Sequence, residues 1–264
     1  MTESHDTSRQ KRSDPSAGQV ADLASRAIAE LAARRSRMRA PLSERLIVDL
    51  VAASLDLDDA RLGQTVETLL ASQIPPEEIV DLYIPEAARR LGDEWCSDGL
   101  SFAEVTIGSA RLQRYVRELS LDMVPLAGDV ESSAILIVRD GEFHTMGAMV
   151  AASQLRRKGV SVRLAICEPD SKVITAIAAG QHSAVLFSVG ATEMLGELHD
   201  FVAKLRKVAP SSAVFGLGGA VGHLGEEAIQ LTGVDFVSTD AGEVIRRCGL
   251  KTSIKGARRR ATSV

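Results

Sequence analysis

The sequence predicts an α/β protein in which a four-helix bundle precedes a doubly wound, five-stranded parallel sheet. Between residues 43 and 125, apolar side chains recur at helical spacing, with proline and glycine where helices would begin or end. From residue 134 onward, short apolar runs alternate with helical patterns, as in parallel strands joined by crossover helices. We therefore expect a helical bundle at 43–125 and an α/β domain at 131–250.

Both ends of the chain are polar. Residues 1–42 are predicted to be a polar arm that contains a basic helix, because apolar residues at helical spacing stand beside five arginines in the stretch 19–40. This helix either contacts DNA or a partner protein, or presents a solvated charged face. Residues 251–264 carry two lysines and three arginines and are predicted to be a solvated, disordered basic tail.

Local signals bound the four helices of the bundle. They are an N-cap, a proline pair suited to a first helical turn, a helix-ending glycine and a final proline: Ser43, Pro75-Pro76, Gly99 and Pro125. The third helix is predicted to run to Trp95 and to be kinked at Pro85, because a proline inside a helix removes a backbone hydrogen bond. Four such helices can form a small bundle.

Five apolar runs are the predicted strands of the α/β domain. They span residues 134–138, 161–166, 184–189, 213–217 and 234–238, and helical patterns lie between them. In open parallel sheets of this kind, ligands bind beyond the carboxyl ends of the strands. Residues that directly follow a strand are therefore the first candidates for a functional site.

Composition narrows the possible functions. Aromatic residues make up only 3% of the 264 residues, which argues against stacking platforms for nucleic acid, and a formal charge of -4 gives no hint of a polyanionic partner. The three cysteines form no Cys-x-x-Cys motif and are expected to be reduced thiols. Neither an export signal nor a membrane span is predicted, so we expect a cytoplasmic protein without membrane contact.

Three short motifs follow three of the predicted strands. They are the run 142–147 (Glu-Phe-His-Thr-Met-Gly), Ser188 with Gly190, and Gly218-Gly219. Glu142 can hold one ring nitrogen of His144, so that the other nitrogen is available to a transition metal. Alone, His144 would be an ordinary loop histidine and Gly218-Gly219 an ordinary turn. Together, the three motifs indicate a cofactor loop at one edge of the sheet.

This set resembles the cobalamin-binding domain of corrinoid proteins, whose pattern is Asp-x-His-x-x-Gly, about forty residues, Ser-x-Leu, a little under thirty residues, Gly-Gly. The resemblance implies a flavodoxin-like domain in which His144 replaces the dimethylbenzimidazole of cobalamin on cobalt. The freed nucleotide tail would lie in a slot that Gly218 and Gly219 leave open. Ser188 would offer a hydroxyl to the displaced base, and Gly147 would permit a tight turn under the corrin ring.

Two residues depart from that pattern. Glu142 stands where the family usually has Asp, and its extra methylene could lengthen or loosen the contact with the histidine. Gly190 replaces the usual Leu and is expected to widen the slot.

A helical bundle directly before such a domain resembles the cap over the upper corrin face in methionine synthase, methyl-carrying corrinoid proteins and light-sensing repressors. That cap carries Trp, nine residues, then Glu-His. Here Trp95 is followed in the same register by Val105 and Thr106, so the usual upper histidine is missing. The resemblance makes Trp95 and Phe102 the expected contacts on the upper face, although Trp95 alone could be a core residue. Glu104 is expected to be a surface carboxylate.

The run 101–108 (Ser-Phe-Ala-Glu-Val-Thr-Ile-Gly), together with 142–147, resembles the AerR/PpaA family of purple-bacterial photosynthesis regulators over about residues 43–250. The resemblance implies a non-enzymatic, cobalamin-dependent antirepressor that responds to light or redox state. It would bind a CrtJ/PpsR-type transcription factor and contact DNA weakly or indirectly.

Other classes remain open to different degrees. A corrinoid methyl-carrier subunit would use the same His144 and slot. A phosphoreceiver is disfavoured, because Ser188 lies where an acceptor Asp is needed. A dinucleotide-binding domain is disfavoured because the glycine-rich run 216–219 follows the fourth strand rather than the first.

Overall fold

The computed structural model describes residues 41–123, 132–180 and 182–252. Residues 1–40, which hold nearly all of the predicted arm and its basic helix, lie outside the described residues. Most of the linker before the sheet and most of the basic tail also lie outside them. The described helices and strands from Ser43 onward belong to one compact unit.

The first part of that unit contains the four predicted helices. They are α1 (Glu44–Leu55), α2 (Asp59–Ala71), α3 (residues 76–96) and α4 (Phe102–Asp122). Ser43 is the N-cap of α1, and Pro76 occupies the first turn of α3, as predicted. Their shared core is made of fully buried aliphatic side chains: Leu50, Leu62, Leu69, Ile79, Leu91 and Leu112.

Helix α3 changes its winding in the middle. A π-helical turn, Ile79–Tyr83, lies between the α-helical stretches Pro76–Glu78 and Ile84–Cys96. It ends two residues before Pro85, where the sequence predicted a kink. Proline has no N–H to donate to the preceding turn, and a π-helical turn is one way in which a helix accommodates such a break. The turn brings Asp81 to the side of the bundle that meets the sheet domain, where it forms an ion pair with Arg157.

The second part is the predicted five-stranded parallel sheet. Its strands are β1 (Ser133–Val138), β2 (Ser161–Ile166), β3 (Ala184–Ser188), β4 (Val214–Gly218) and β5 (Phe236–Val237). Their order is β2-β1-β3-β4-β5, and every neighbouring pair is parallel. The predicted fold class is confirmed. Strand β5 is shorter than the predicted run 234–238, because only Phe236 and Val237 pair with β4.

Helices cover both faces of the sheet: α5 (Thr145–Arg157), α6 (Asp170–Ala178), α7 (Leu195–Arg206), α8 (Glu226–Thr232) and α9 (Ala241–Arg247). On one face, Phe187 and Phe215 pack with Phe201 of α7. On the other face, Leu136 and Phe236 belong to a separate cluster with residues of α5 and α9. Because β1 and β3 are neighbours from which the chain proceeds to opposite sides, the loops after them meet at a topological switch point, where ligands bind in folds of this order.

A partly buried polar network joins the bundle to α5. Arg157 donates from Nη2 to both carboxylate oxygens of Asp81, at 2.8 and 2.6 Å, and from Nη1 to Ser153 Oγ at 3.0 Å. Ser120 of α4 donates to the same Ser153 hydroxyl at 2.8 Å. The bundle is thus held against α5, the helix whose N-cap is His144.

Two further expectations concern the whole described chain. None of the described helices has the length and apolar character needed to cross a bilayer. All three cysteines are free thiols, with Cys96 and Cys167 exposed and Cys248 buried, as predicted.

Candidate cofactor site

The loop after β1 presents His144 on a buried carboxylate. Glu142 is only 4% exposed, and its Oε1 accepts hydrogen bonds from the His144 backbone N at 2.7 Å and from the His144 ring Nδ1 at 2.6 Å. The imidazole itself is 71% exposed. Because Nδ1 is engaged by the carboxylate, the outer nitrogen, Nε2, is the one available to a metal ion. The predicted pairing of Glu142 with His144 is therefore present.

The same carboxylate reaches a second loop. Glu142 Oε2 accepts a hydrogen bond from the backbone N of Gly190, at 2.6 Å, in the loop after β3. Burial works to raise the pKa of Glu142, but the hydrogen bonds from Gly190 and His144 outweigh it and hold that pKa below its ordinary value. The longer side chain does not loosen the contact with His144, contrary to the expectation from sequence. Its extra methylene instead lets it span both loops.

Gly190 lies against the His144 ring. A Cβ at this position would approach His144 Nδ1 to 2.3 Å and Cγ to 2.6 Å, which are distances that real Cβ atoms do not adopt. Gly190 is absent from the lining of the cavity described next. The expectation that Gly190 widens the slot is therefore wrong, since the missing side chain makes room for the imidazole.

A cavity of about 320 Å³ opens between helix α5 and the carboxyl ends of the central strands. Ser188, at the end of β3, lines it and is buried, and Gly218 and Gly219 line it from the end of β4. Gly218 is the register partner of Ser188 in the parallel β3–β4 pair, which is why two motifs thirty residues apart meet here. The cavity is mainly apolar and has the position predicted for the slot.

Backbone packing explains the glycine pair. Gly219 has φ of 94°, a left-handed conformation that L side chains rarely adopt, and a Cβ there would lie 2.3 Å from the Val189 carbonyl oxygen. A Cβ on Gly218 would lie 2.9 Å from the Ser238 carbonyl oxygen. These glycines let the ends of β3, β4 and β5 approach one another, and the cavity wall depends on that approach.

Gly147 has a different place from the predicted one. It is the third residue of α5 rather than part of a tight turn, and the left-handed glycine of this loop is Gly141, with φ of 83°. Gly147 lines the cavity, and a Cβ there would meet no other atom within 4 Å. Its lack of a side chain thus leaves cavity space open.

The bundle residues expected on the upper corrin face lie together. The rings of Trp95 and Phe102 are 6.3 Å apart and both are exposed, as is Phe143 beside His144. Thr106, which stands where the usual upper histidine would be, donates its hydroxyl to the Phe102 carbonyl oxygen at 2.7 Å. Glu104 is exposed, as expected, and forms a capping box with Ser101 that fixes the start of α4.

Sequence reasoning missed the bundle's share in the cavity. Asp81 and Pro85 line it from α3, and Gln154 and Ala151 line it from α5. The one sequence signal in this part of the bundle was Pro85, which predicted a kink in the helix. Helical spacing could not show that the turn before it meets the sheet domain.

Comparison with known proteins supplies the identity of the site. The B12 binding domain family matches residues 132–247, which span the whole sheet and all three motifs. An uncharacterized 20.5 kDa protein from the bchF–crtJ intergenic region of Rhodobacter capsulatus is 36% identical over 184 residues, covering 68% of this chain and 95% of that protein. The chain belongs to the AerR/PpaA family of cobalamin-binding proteins. Its cofactor is cobalamin.

The fold agrees with this assignment. The monomethylamine corrinoid protein of Methanosarcina barkeri superimposes with a TM-score of 0.62 at 18% identity, over 77% of this chain and 97% of that one. At this level of identity the likeness concerns the fold, including the helical bundle before the sheet.

The residues present fit cobalamin. A histidine that binds a transition metal typically has its other ring nitrogen held by a hydrogen-bond acceptor such as a carboxylate, and Glu142 holds His144 in this way. The nucleotide tail needs an open apolar cavity beside the ligand loop, and the glycine-walled cavity beside α5 meets that need. The described residues contain no cluster of three or more His, Cys, Asp or Glu side chains that could hold a separate metal ion.

Proposed function

We propose that this AerR/PpaA family member is a non-enzymatic, cobalamin-dependent antirepressor that acts through a CrtJ/PpsR-type transcription factor. The observation that carries the cofactor part is the exposed His144 imidazole, held at Nδ1 by the buried Glu142 beside a glycine-walled cavity. The regulatory part is supported by the R. capsulatus relative, whose name places its gene beside crtJ. Contact with DNA is then weak or indirect, and the partner carries the DNA-binding function.

In this proposal His144 would hold cobalamin through its Nε2, which would bind the cobalt. Cobalamin would supply a metal centre that responds to light or redox state. Glu142 keeps the imidazole in the tautomer with a proton on Nδ1, while Ser188, Gly218 and Gly219 border the cavity for the nucleotide tail. Trp95 and Phe102 offer exposed apolar surface for the upper corrin face.

The switch itself needs two arrangements of the protein with different affinities for the cofactor states, because a ligand shifts an equilibrium only by its differential affinity. The bundle and the sheet domain supply two parts that can change their contact. They are joined by the Asp81–Arg157 pair and the Ser120–Ser153 hydrogen bond.

The first experiment tests the ligand. His144→Ala is expected to abolish the absorption signature of histidine-ligated cobalamin and to weaken cobalamin binding, while the fold stays intact because the side chain is exposed. His199→Ala removes an exposed histidine on α7 and serves as the control. A His144→Ala spectrum and affinity identical to those of the parent protein would refute the assignment.

The second experiment tests the regulatory role against the methyl carrier. Binding of a CrtJ/PpsR-type factor to operator DNA is measured with the apo and cobalamin-loaded protein, in the dark and in light. We expect a change only with cobalamin bound. Equal effects of all four preparations, together with methyl transfer from the loaded protein to a corrinoid-dependent methyltransferase, would favour the methyl-carrier function.

A further inference from the structure

The buried carboxylate of Glu142 connects two loops that the family pattern treats as separate motifs. Its Oε1 accepts two hydrogen bonds from His144, and its Oε2 accepts one from Gly190. Since the side chain is almost completely buried, protein donors replace the water that would otherwise solvate the carboxylate. The orientation of the carboxylate, and with it that of the imidazole, therefore depends on the loop after β3.

We propose that Gly190 is a positioning residue for the cobalt ligand, through its N–H and through its missing side chain together. This inference rests on the proposed role of His144 as that ligand. The N–H holds the far oxygen of Glu142, so that the near oxygen faces the imidazole. The absent side chain leaves the space that the imidazole occupies, because a Cβ on Gly190 would overlap His144 Nδ1, Cγ and Cβ at 2.3, 2.6 and 2.9 Å.

The two departures from the family pattern depend on each other. A glutamate is one methylene longer than the usual aspartate, and this extra length carries Oε2 to the Gly190 amide while Oε1 stays at 2.6 Å from Nδ1. An imidazole in this place tolerates no side chain at position 190. A substitution at residue 142 or 190 should therefore alter the position of the other residue, although the two are 48 positions apart in sequence.

The tautomer and the orientation of the His144 imidazole are therefore fixed before cobalamin binds. With Nδ1 held by the carboxylate, the proton stays on that nitrogen and Nε2 keeps its lone pair for the metal. Partners that orient a metal-binding histidine typically change metal affinity by roughly 10- to 100-fold when they are removed. We expect an effect of that size from Gly190, because it lies against His144 and donates to the carboxylate that holds it.

The test compares Gly190→Ala with Gly196→Ala, a glycine in the first turn of α7 where a Cβ meets nothing within 4 Å. The backbone of Gly190 is not left-handed, so alanine brings no conformational strain of that kind. In the apo protein, ¹⁵N-resolved imidazole spectra are expected to show one tautomer for the parent and Gly196→Ala, and a mixture for Gly190→Ala. Cobalamin affinity is expected to fall roughly 10- to 100-fold in Gly190→Ala alone.

A second variant separates positioning from simple damage to the fold. Glu142→Ala should increase hydrogen exchange of the Gly190 amide, because that amide loses its acceptor. In the Glu142→Ala background, Gly190→Ala should reduce affinity little further, since the imidazole is then free to move away from the new methyl group. Fully additive losses in the double variant would overturn the positioning role.

Failure of this inference differs from failure of the proposed function. An unchanged imidazole tautomer and parent-like affinity in Gly190→Ala would refute the role of Gly190 and leave His144 as ligand. Parent-like cobalt ligation in His144→Ala would refute the ligand assignment, and the apo spectra would still report whether Gly190 orders the imidazole.

Discussion

Gly147 offers a direct test of the cavity, because a Cβ there would enter open space at the cavity wall. It is in the first turn of α5, lines the cavity, and a Cβ on it would meet no atom within 4 Å. In Gly147→Leu we expect apo stability to rise by up to about 1 kcal/mol, since leucine loses less conformational entropy in a helix than glycine.

The same substitution should weaken binding of the nucleotide tail. Forcing extra methylenes into an occupied site typically costs about 1–3 kcal/mol, and each 1.4 kcal/mol corresponds to a tenfold change in Kd. The cavity holds only about 320 Å³, so a leucine side chain takes a substantial part of it. We therefore expect the Kd for cobalamin to rise roughly 5- to 150-fold.

Two comparisons isolate the effect. Gly196→Leu, in the first turn of α7, should gain similar stability and bind cobalamin normally. Cobinamide, a corrinoid without the nucleotide tail, should bind Gly147→Leu and the parent equally well. Denaturant unfolding and absorption titration give the two quantities. Unchanged cobalamin affinity in a stably folded Gly147→Leu would refute the placement of the tail in this cavity.

Three further predictions concern stability. Gly219→Ala should destabilise the apo protein by about 1–3 kcal/mol in denaturant unfolding, because Gly219 has a left-handed backbone and a Cβ there would clash with Val189. A loss of cobalamin binding in this variant would therefore combine damage to the fold with obstruction of the cavity. Arg157→Met should lower the free energy of unfolding by about 1–3 kcal/mol, since it leaves Asp81, 17% exposed, without its partner. The control Arg45→Met removes an exposed helix pair with Asp49 and should change the free energy of unfolding little. Hydrogen bonds from Arg89 and Arg90 outweigh desolvation and lower the pKa of Glu86 to about 2, so the contribution of ionised Glu86 to stability should be present above pH 4.5 and be lost as the pH falls toward 2. Glu86→Gln should remove this part of the pH dependence of the free energy of unfolding. An acid unfolding profile identical to that of the parent protein would contradict the prediction.

Local patterns were sufficient for the elements of the fold. Helical spacing, Ser43 and Pro76 located the bundle, and apolar runs located all five strands, because these signals act within a few residues of the chain. The contact between Glu142 and His144 was also predictable, since the two residues are only two positions apart. Parallel pairing then predicts that residues following neighbouring strands meet at one edge, as Ser188 and Gly218 do.

The sequence by itself therefore determined the fold class and the loop that carries Glu142 and His144, and its resemblance to corrinoid proteins indicated the cofactor. Only the tertiary structure decided the roles of individual glycines. Gly190 makes room for the His144 imidazole, whereas Gly147 leaves space in the cavity. It also decided that Asp81 of the bundle borders the cavity. The role of a glycine or a carboxylate depends on the atoms that surround it. Loops remote in sequence are brought within a few ångströms of each other by the packing of strands and helices, and no local sequence pattern encodes that packing.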